Sequence, residues 1–443
     1  MSPVSKQPPD FDLVIVGGGP GGSTAAAFAR QRNLKVLVVE KERFPRFHIG
    51  ESLLPMGNKL LRESGAWPRL EAAGFVRKYG ASFHLSNGRA MTRIDFSEGL
   101  VPGLEFTFQV ERSKFDGLLL DHARASGAEV RLETTARSSG AEDGLQRIHL
   151  ETAAGPETVT TRWVFDAGGR DHLFNAGQNL PLDPSPFPKR VAVYNHFRGV
   201  ARDPGRSGGD TIAVRLENGW FWLIPLDAER TSVGLVTTTE AMRASGTSPD
   251  GLFARAVAGS VTLHGLLAGA EPVGPFRVTS DYSYFHTELA KDRLIRIGDA
   301  AGFFDPIFSS GVYMSMHSAK LAVELMVRAD KEGRGLTGDE CRQYAKTVKR
   351  HAGVFQRLIA VFYNNDSYAV FLSKTVPWRI RPAICSIVAG HATLTWPLRW
   401  RFQVFLLVCW LQERKFPMCP HLDFSETSPS PVPTAARSTE GAG

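Results

Sequence analysis

The feature that most constrains the fold of this chain is a glycine-rich turn between an apolar stretch and an alanine-rich segment near the N-terminus. Residues 12–16 are mostly apolar, residues 17–22 read Gly-Gly-Gly-Pro-Gly-Gly, and residues 22–31 have the composition of a helix. A second apolar stretch, residues 34–40, ends at Glu40. This order predicts a β-turn-α-β unit of the kind that binds dinucleotides.

The glycines occupy the positions that such a unit requires. Gly17 would form the tight turn, Gly19 would let the backbone approach a pyrophosphate, and Gly22 would let helix and strand pack closely. The helix start adds N–H donors, and the Glu40 carboxylate can accept hydrogen bonds from a ribose. The alternative is a turn with a purely structural role. The residues expected to bind the dinucleotide are Gly17, Gly18, Gly19, Gly21, Gly22 and Glu40.

Charge and cysteine content exclude several classes of protein. The net charge is +7, but lysine and arginine are scattered and no recognition motif accompanies them, so we expect no nucleic-acid partner. The four cysteines have no metal-ligand spacing, which predicts free thiols and no metal site.

Without a secretory signal or a transmembrane segment, the chain is predicted to be cytoplasmic. The apolar run at residues 402–411 is shorter than the roughly 20 residues that span a bilayer. It predicts a buried helix, with membrane-surface attachment as the alternative.

The chain is long enough for two or three packed units. Alternating apolar residues with turn signals between residues 190 and 284 predict an antiparallel sheet, and the chain beyond Val312 has mostly helical character. The predicted divisions are a discontinuous nucleotide-binding domain (1–189 with 285–330), an inserted β-sheet substrate domain (190–284), a helical C-terminal region (331–424) and a disordered tail (425–443).

Three later segments identify the dinucleotide. Arg112 stands at a predicted helix start, residues 166–169 read Asp-Ala-Gly-Gly at the end of a strand, and Asp299 follows another strand in a Gly-Asp pair. In this order the segments resemble the FAD-dependent monooxygenase superfamily. The resemblance implies an α/β fold, with a Rossmann-like FAD-binding domain of the p-hydroxybenzoate hydroxylase type, an inserted antiparallel β-sheet substrate domain and a helical C-terminal region. It also implies that Arg112, Asp299 and Val312 bind FAD, with Asp299 near the ribityl chain.

Residues 220–225, Trp-Phe-Trp-Leu-Ile-Pro, match the WxWxIP motif of flavin-dependent halogenases. Because side chains on a strand repeat every two residues, Trp220 and Trp222 should face the same side. In the family such a wall keeps the organic substrate away from the flavin. The alternative is a pair of core tryptophans in a β-sheet.

A second motif follows the Gly-Asp pair. Residues 304–311, Phe-Asp-Pro-Ile-Phe-Ser-Ser-Gly, resemble the FxPxxSxG pattern of the halogenases. Successive N–H groups at a helix start can form an anion site. The resemblance assigns halide binding to the amides of Ser310 and Gly311. The alternative is an ordinary loop that closes over FAD.

Lys78 matches the position of the active-site lysine of the halogenases and is predicted to be catalytic. It lies downstream of residues 44–55, which also resemble the family and make Glu51 and Ser52 candidate FAD contacts. A lone lysine is usually a solvated surface residue, and Arg77 is an alternative inward-facing cation. A lysine removed from water has a lowered pKa and can act as an amine or a hydrogen-bond donor.

The resemblance predicts an FADH2-dependent halogenase that adds chlorine or bromine to an electron-rich phenolic or pyrrolic ring through a flavin hydroperoxide and hypohalous acid. The ring is either free or attached to an acyl or peptidyl carrier protein, and a separate flavin reductase supplies the reduced FAD. Tryptophan halogenases carry a glutamate where this chain has Phe308, which argues against free tryptophan as substrate. The alternatives are an aromatic hydroxylase, a geranylgeranyl-reductase-like oxidoreductase, and a non-enzymatic flavin-binding protein.

Overall fold

The computed structural model describes residues 8–142, 144–171, 181–183, 187–280, 283–373, 378–416 and 418–424. The predicted disordered tail, residues 425–443, lies outside the described residues. The strands in chain order are β1 (Phe11–Val16), β2 (Val36–Val39), β3 (Val76–Lys78), β4 (Gly80–Leu85), β5 (Met91–Asp95), β6 (Thr107–Gln109), β7 (Glu129–Arg131), β8 (Thr135–Glu142), β9 (Leu145–Thr152), β10 (Gly155–Asp166), β11 (Leu182–Asp183), β12 (Arg190–Arg198), β13 (Thr211–Leu216), β14 (Gly219–Pro225), β15 (Arg230–Thr238), β16 (Glu271–Pro272), β17 (Arg277–Ser280), β18 (Tyr284–His286), β19 (Ala290–Lys291), β20 (Leu294–Arg296) and β21 (Gly302–Phe303). The helices are α1 (Pro20–Arg30), α2 (Pro55–Glu63), α3 (Trp67–Glu71), α4 (Arg112–Ala125), α5 (Thr239–Ala244), α6 (Pro249–Ala258), α7 (Val261–Leu267), α8 (Gly311–Lys331), α9 (Gly338–Tyr363), α10 (Asn365–Leu372), α11 (Ile380–Val388) and α12 (Trp396–Glu413).

The first sheet confirms the predicted nucleotide-binding fold. Its main path runs β19-β20-β10-β1-β2-β7, and β1 pairs in parallel with both β2 and β10. Residues 13–16 and 36–39 are buried along their whole length, as expected for parallel strands covered on both faces. Helices α4 and α8 pack against α1, so the glycine-rich turn between β1 and α1 opens at the carboxyl edge of the sheet.

The second sheet is mostly antiparallel and follows the order β16-β12-β15-β14-β13-β4-β5, with β17 also on β12. Residues 190–284 supply most of it, but β4 and β5 come from residues 80–95 and join through a parallel pairing of β4 with β13. The second sheet therefore includes β4 and β5, although the sequence analysis assigned residues 80–95 to the nucleotide-binding domain. The division of the chain into domains stays a prediction.

Helices α8 to α12 pack on one another in the region that the sequence predicts to be mostly helical. Helix α9 begins at a capping box in which Thr337 and Glu340 satisfy each other's backbone N–H groups. Within α12, Phe402 and Phe405 are buried, but Leu407 and Trp410 are exposed. The prediction of a buried helix therefore holds for only one of its faces. No helix in the described part of the chain is both long and apolar enough to cross a membrane.

Candidate functional site

The glycine-rich turn borders a cavity of about 370 Å³ at the edge of the first sheet. Gly17 has a φ of +108°, and a Cβ placed there would lie 2.3 Å from the carbonyl oxygen of Ala167. A Cβ at Gly22 would lie 1.9 Å from the carbonyl oxygen of Gly17. Both positions exclude a side chain. Gly19 and Gly21 line the cavity, and Gly19 is the N-cap residue of α1, so the helix start faces this space.

Glu40, directly after β2, holds the glycine-rich turn through hydrogen bonds beside the cavity. Its Oε2 accepts a hydrogen bond from the N–H of Gly18 at 2.8 Å, and its Oε1 accepts one from the N–H of Glu42 at 2.9 Å. The carboxylate also lines the cavity. The carboxylate therefore stabilises the glycine-rich turn, and it can also accept hydrogen bonds from a ribose in the cavity.

Arg112 connects the start of α4 to the loop that covers the cavity. Its guanidinium forms a two-bond ion pair with Asp116, at 2.7 Å and 2.9 Å, and its Nη1 donates to the carbonyl oxygen of Ile49 at 2.7 Å. Burial acts to lower the pKa of Arg112, but the carboxylates of Asp116, Asp299 and Glu51 together raise it. The arginine therefore remains charged beside the cavity that it lines.

Asp299 lies in the short turn after β20 and also lines the cavity. Burial raises the pKa of its carboxyl group to about 6, and Arg112 and Arg170 act in the opposite direction. Val312, in the first turn of α8, lines the same cavity. Arg112 is far from Asp299 and Val312 along the chain, but all three residues line this one cavity.

Sequence reasoning missed His196, which contacts a predicted FAD residue. Its Nε2 lies 2.7 Å from Glu51 Oε1, while Glu51 Oε2 is buried with no hydrogen-bond partner among the described residues. Glu51 is only 1% exposed and lines the cavity. The alternating pattern of β12 predicts a strand but gives no signal that His196 would face Glu51, 145 positions away.

Trp220 and Trp222 lie on β14 and both line the cavity. Their ring centroids are 6.0 Å apart, and the indole Nε1 atoms donate to Tyr363 Oη at 2.7 Å and Ser232 Oγ at 3.1 Å. A Cβ at Gly234 would lie 2.2 Å from the Trp222 ring, so the facing strand leaves room for this indole. The two rings are thus fixed in place on the sheet side of the cavity.

The start of α8 has the backbone geometry of an anion site. Ser309 adopts the left-handed conformation (φ 57°, ψ 26°) and Ser310 the right-handed one (φ −82°, ψ −13°), the alternation that directs successive N–H groups toward one point. The N–H groups of Ser310 and Gly311 have no hydrogen-bond acceptor among the described residues. Ser309 and Gly311 line the cavity, whereas the side chain of Ser310 is buried.

Lys78 is 2% exposed, whereas its neighbour Arg77 faces solvent. The lysine Nζ donates to Ser52 Oγ at 2.8 Å and to the carbonyl oxygen of Leu53 at 3.2 Å. Burial lowers the pKa of Lys78 to about 7. Asp210 acts in the opposite direction, but its carboxylate already accepts hydrogen bonds from Arg93 Nε and the N–H of Tyr79. A substantial neutral fraction of Lys78 therefore exists near pH 7.

Ser52 links Lys78 to the cavity. Its hydroxyl lies 3.0 Å from Thr211 Oγ1, and both Ser52 and Thr211 line the cavity, whereas Lys78 does not. Ser52 therefore has a structural role that the sequence did not indicate, because it contacts the amine as well as the cavity.

The residues around the cavity fit FAD. The turn excludes side chains where a pyrophosphate would approach, and the helix start directs N–H donors there. The unpaired Oε2 of Glu51 offers an acceptor inside the cavity, where an unsatisfied carboxylate oxygen would otherwise be costly. Fold and site together define an FAD-dependent oxidoreductase.

Comparison with known proteins identifies its family. The family model described as tryptophan halogenase matches residues 12–88 and 64–369, and the chain belongs to this family. It is 34% identical to the 1H-pyrrole-2-carbonyl-[peptidyl-carrier protein] chlorinase of Pseudomonas fluorescens, over 73% of this chain and 77% of the relative. It is 31% identical to the corresponding brominase of Pseudoalteromonas luteoviolacea, over 72% and 78%. The solved structure of the flavin-dependent brominase Bmp2 superposes with a TM-score of 0.80 at 25% identity, covering 91% of this chain and 99% of the other.

These similarities confirm the predicted activity and cofactor. The protein is a flavin-dependent halogenase that uses FAD, takes halide as a substrate and halogenates aromatic rings. They favour this class over the hydroxylase, the reductase-like enzyme and the non-enzymatic flavoprotein. The roles of individual residues stay predictions.

Proposed function

We propose that the enzyme chlorinates or brominates a phenolic or pyrrolic ring presented on a peptidyl carrier protein. The carrier-dependent pyrrole chlorinase and brominase, at 34% and 31% identity, support this substrate class. Phe308 argues in the same direction. It is buried among Phe83, Phe362 and Phe371, with centroids 6.0 to 6.4 Å away, so this position offers no carboxylate to the amine of free tryptophan.

FAD would be held by the glycine-rich turn, with Glu40 near its ribose and Arg112, Asp299 and Val312 along its length. When bound in reduced form, it supplies the electrons with which oxygen oxidises halide to hypohalous acid. The sequence contains one strand-GxGxxG-helix unit, so a separate flavin reductase would deliver the reduced cofactor.

Trp220 and Trp222 would keep the aromatic substrate out of the FAD cavity. Both indoles line that cavity and are hydrogen-bonded in place, which supports a fixed barrier to a ring-sized molecule. Halide would bind at the N–H groups of Ser310 and Gly311, which are free to donate and lie at the positive end of α8.

Lys78 would deliver the halogen to the substrate. Its neutral amine can react with hypohalous acid to form an N–halogen bond with loss of water, and the ring then takes the halogen while its displaced proton returns to the amine. In its protonated form, Lys78 can instead donate a hydrogen bond to the hypohalous oxygen. Either route needs a dry, positioned amine, because orientation replaces the encounter of free reactants.

This proposal depends most on the buried amine of Lys78. The amine does not line the FAD cavity, but it donates a hydrogen bond to Ser52, which does. The test is mass spectrometry of phenol and pyrrole substrates, free and carrier-bound, after reaction with a flavin reductase, NADH, air and bromide. A bromine isotope doublet on the ring supports the proposal. A hydroxylated ring would contradict it.

A further inference from the structure

Helix α12 presents an exposed aromatic face. Trp396 is 77% exposed, Leu407 52% and Trp410 45%. Together with Trp400 these residues follow one another at spacings of four, seven and three, which places them along one side of a helix. The opposite side, with Phe402 and Phe405, is buried against the protein. Three large apolar side chains in one exposed row indicate a contact surface rather than scattered surface hydrophobics.

The same face is strongly cationic. The guanidinium of Arg414 lies 4.3 Å from the Trp410 ring centroid. That of Arg401, at the edge of the face, lies 4.2 Å from the Trp400 ring centroid and donates to the carbonyl oxygens of Trp378 and Pro397. Arg399 is exposed on the same side. Within the described parts of the chain, none of these three arginines forms an ion pair with a carboxylate. We call the residues Trp396, Arg399, Trp400, Leu407, Trp410 and Arg414 the α12 face.

The buried side of α12 is connected through α11 to the segment that contacts Lys78. Helix α12 packs on α11, whose Ser386 hydroxyl accepts a hydrogen bond from the N–H of Leu100 at 2.7 Å. The segment that leads to Leu100 contains Phe96, and the Lys78 amine lies 5.5 Å from its ring centroid. Helix α11 and residues 96–100 therefore connect α12 to the surroundings of Lys78.

We propose that the α12 face docks an acidic protein domain that carries the aromatic substrate, an inference that rests on the proposed function. Arginine and tryptophan together are typical of the energetic centres of protein interfaces, and a guanidinium can pair with a carboxylate through two hydrogen bonds. A membrane fits less well. Gln403 interrupts the exposed row, and the guanidiniums on the ring faces would have to enter the lipid with the indoles.

The test uses the double variant Arg399→Glu/Arg414→Glu, with Arg255→Glu on the exposed side of α6 as the matched control. The substrates are a pyrrole-2-carbonyl peptidyl carrier protein and a free phenol, followed by mass spectrometry at two salt concentrations. The double variant should lower kcat/KM for the carrier-bound ring by about tenfold at low salt, the range expected when charges steer association. The rate of the double variant on the free phenol should equal the wild-type rate. Arg255→Glu should match the wild-type rate on both substrates.

A second variant, Trp396→Ser, tests the apolar part of the face without altering charge. It should raise KM for the carrier-bound ring and leave the free phenol unaffected. Equal kcat/KM for wild type, Trp396→Ser and the double variant on the carrier would overturn the docking surface. Binding of wild type, but not of the double variant, to phosphatidylserine vesicles would overturn it too, as would a wild-type dimer that these substitutions dissociate. Failure of the wild type to halogenate either substrate would instead remove the proposed function itself.

Discussion

Trp220 and Tyr363 are joined by a hydrogen bond of 2.7 Å from the indole Nε1 to the phenol oxygen, although 143 positions separate them. The same phenol donates to Asp305 Oδ2 at 2.6 Å, and the guanidinium of Arg190 lies 3.5 Å from the centre of its ring. Asp305 is fully buried and its Oδ1 accepts from the N–H of Ile307, in the loop that leads to Ser310. The tryptophan wall and the candidate halide loop therefore share one buried network.

Replacing Tyr363 with phenylalanine should weaken both elements of this network. The indole N–H and the Asp305 carboxylate would each lose a buried partner, which costs about 1–3 kcal/mol of unfolding free energy. We expect a lower melting temperature and a several-fold higher KM for bromide. Tyr368→Phe is the matched control, because the Tyr368 hydroxyl is buried with no partner among the described residues. If both variants behave alike in bromide kinetics, the network does not position the halide loop.

Lys78→Met should abolish halogenation while FAD binding is retained. Methionine fills a similar volume in the buried site but has no amine. Any hypohalous acid that the variant still forms would therefore diffuse away and would not be directed to the substrate ring. The measurement is carrier or phenol halogenation by mass spectrometry alongside the flavin absorbance spectrum. Arg77→Met, at the exposed neighbouring position, should behave as wild type. Wild-type product formation by Lys78→Met would show that the lysine has no catalytic role.

The stability of the protein should depend on pH through Lys78. Its pKa is about 7 in the folded state against 10.5 as the ordinary value, so between these pH values the unfolded chain binds more protons. Stability then rises with pH across this window, and the cost of burying the charged amine is greatest below pH 7. Urea unfolding should show Lys78→Met more stable than wild type at pH 6, with the difference shrinking toward pH 10. A pH-independent difference would mean that Lys78 titrates normally.

Ser310→Pro should weaken the use of halide by removing one of the two free N–H donors. The φ of −82° at Ser310 is close to what proline adopts, but a proline there also disfavours the left-handed conformation of Ser309, so the flavin content of the variant must be shown to equal wild type. We expect an increase of about tenfold in KM for bromide, in line with the loss of one charge-assisted hydrogen bond of about 1.5 kcal/mol. Ser310→Ala retains the N–H and should keep wild-type halide kinetics. An unchanged KM in the proline variant would argue against the anion site.

Gly22→Ala should prevent FAD binding. The added Cβ would lie 1.9 Å from the Gly17 carbonyl oxygen and would push apart the turn and the helix start. The flavin content of the purified variant reports this directly. Gly117→Ala on α4 is a suitable control, since its Cβ would meet nothing within 4 Å. Full flavin occupancy in Gly22→Ala would contradict the proposed pyrophosphate site.

The sequence by itself determined the local units of this protein. The strand-turn-helix around Gly17 and the strand that carries Trp220 and Trp222 follow from patterns of a few neighbouring residues, because period and turn chemistry are local properties. Family motifs added the candidate roles of Lys78 and Ser310. These units are found where the patterns predicted them.

Only the tertiary structure decided which of these units contact one another and how burial changes the pKa of their side chains. The burial that lowers the pKa of Lys78, the contact of His196 with Glu51, and the entry of β4 into the second sheet all join residues distant in the chain. The exposed row on α12 emerged in the same way, since hydrophobicity alone predicted burial. Desolvation and long-range hydrogen bonds depend on the packing around a residue, and that packing has no local signature in its own stretch of sequence.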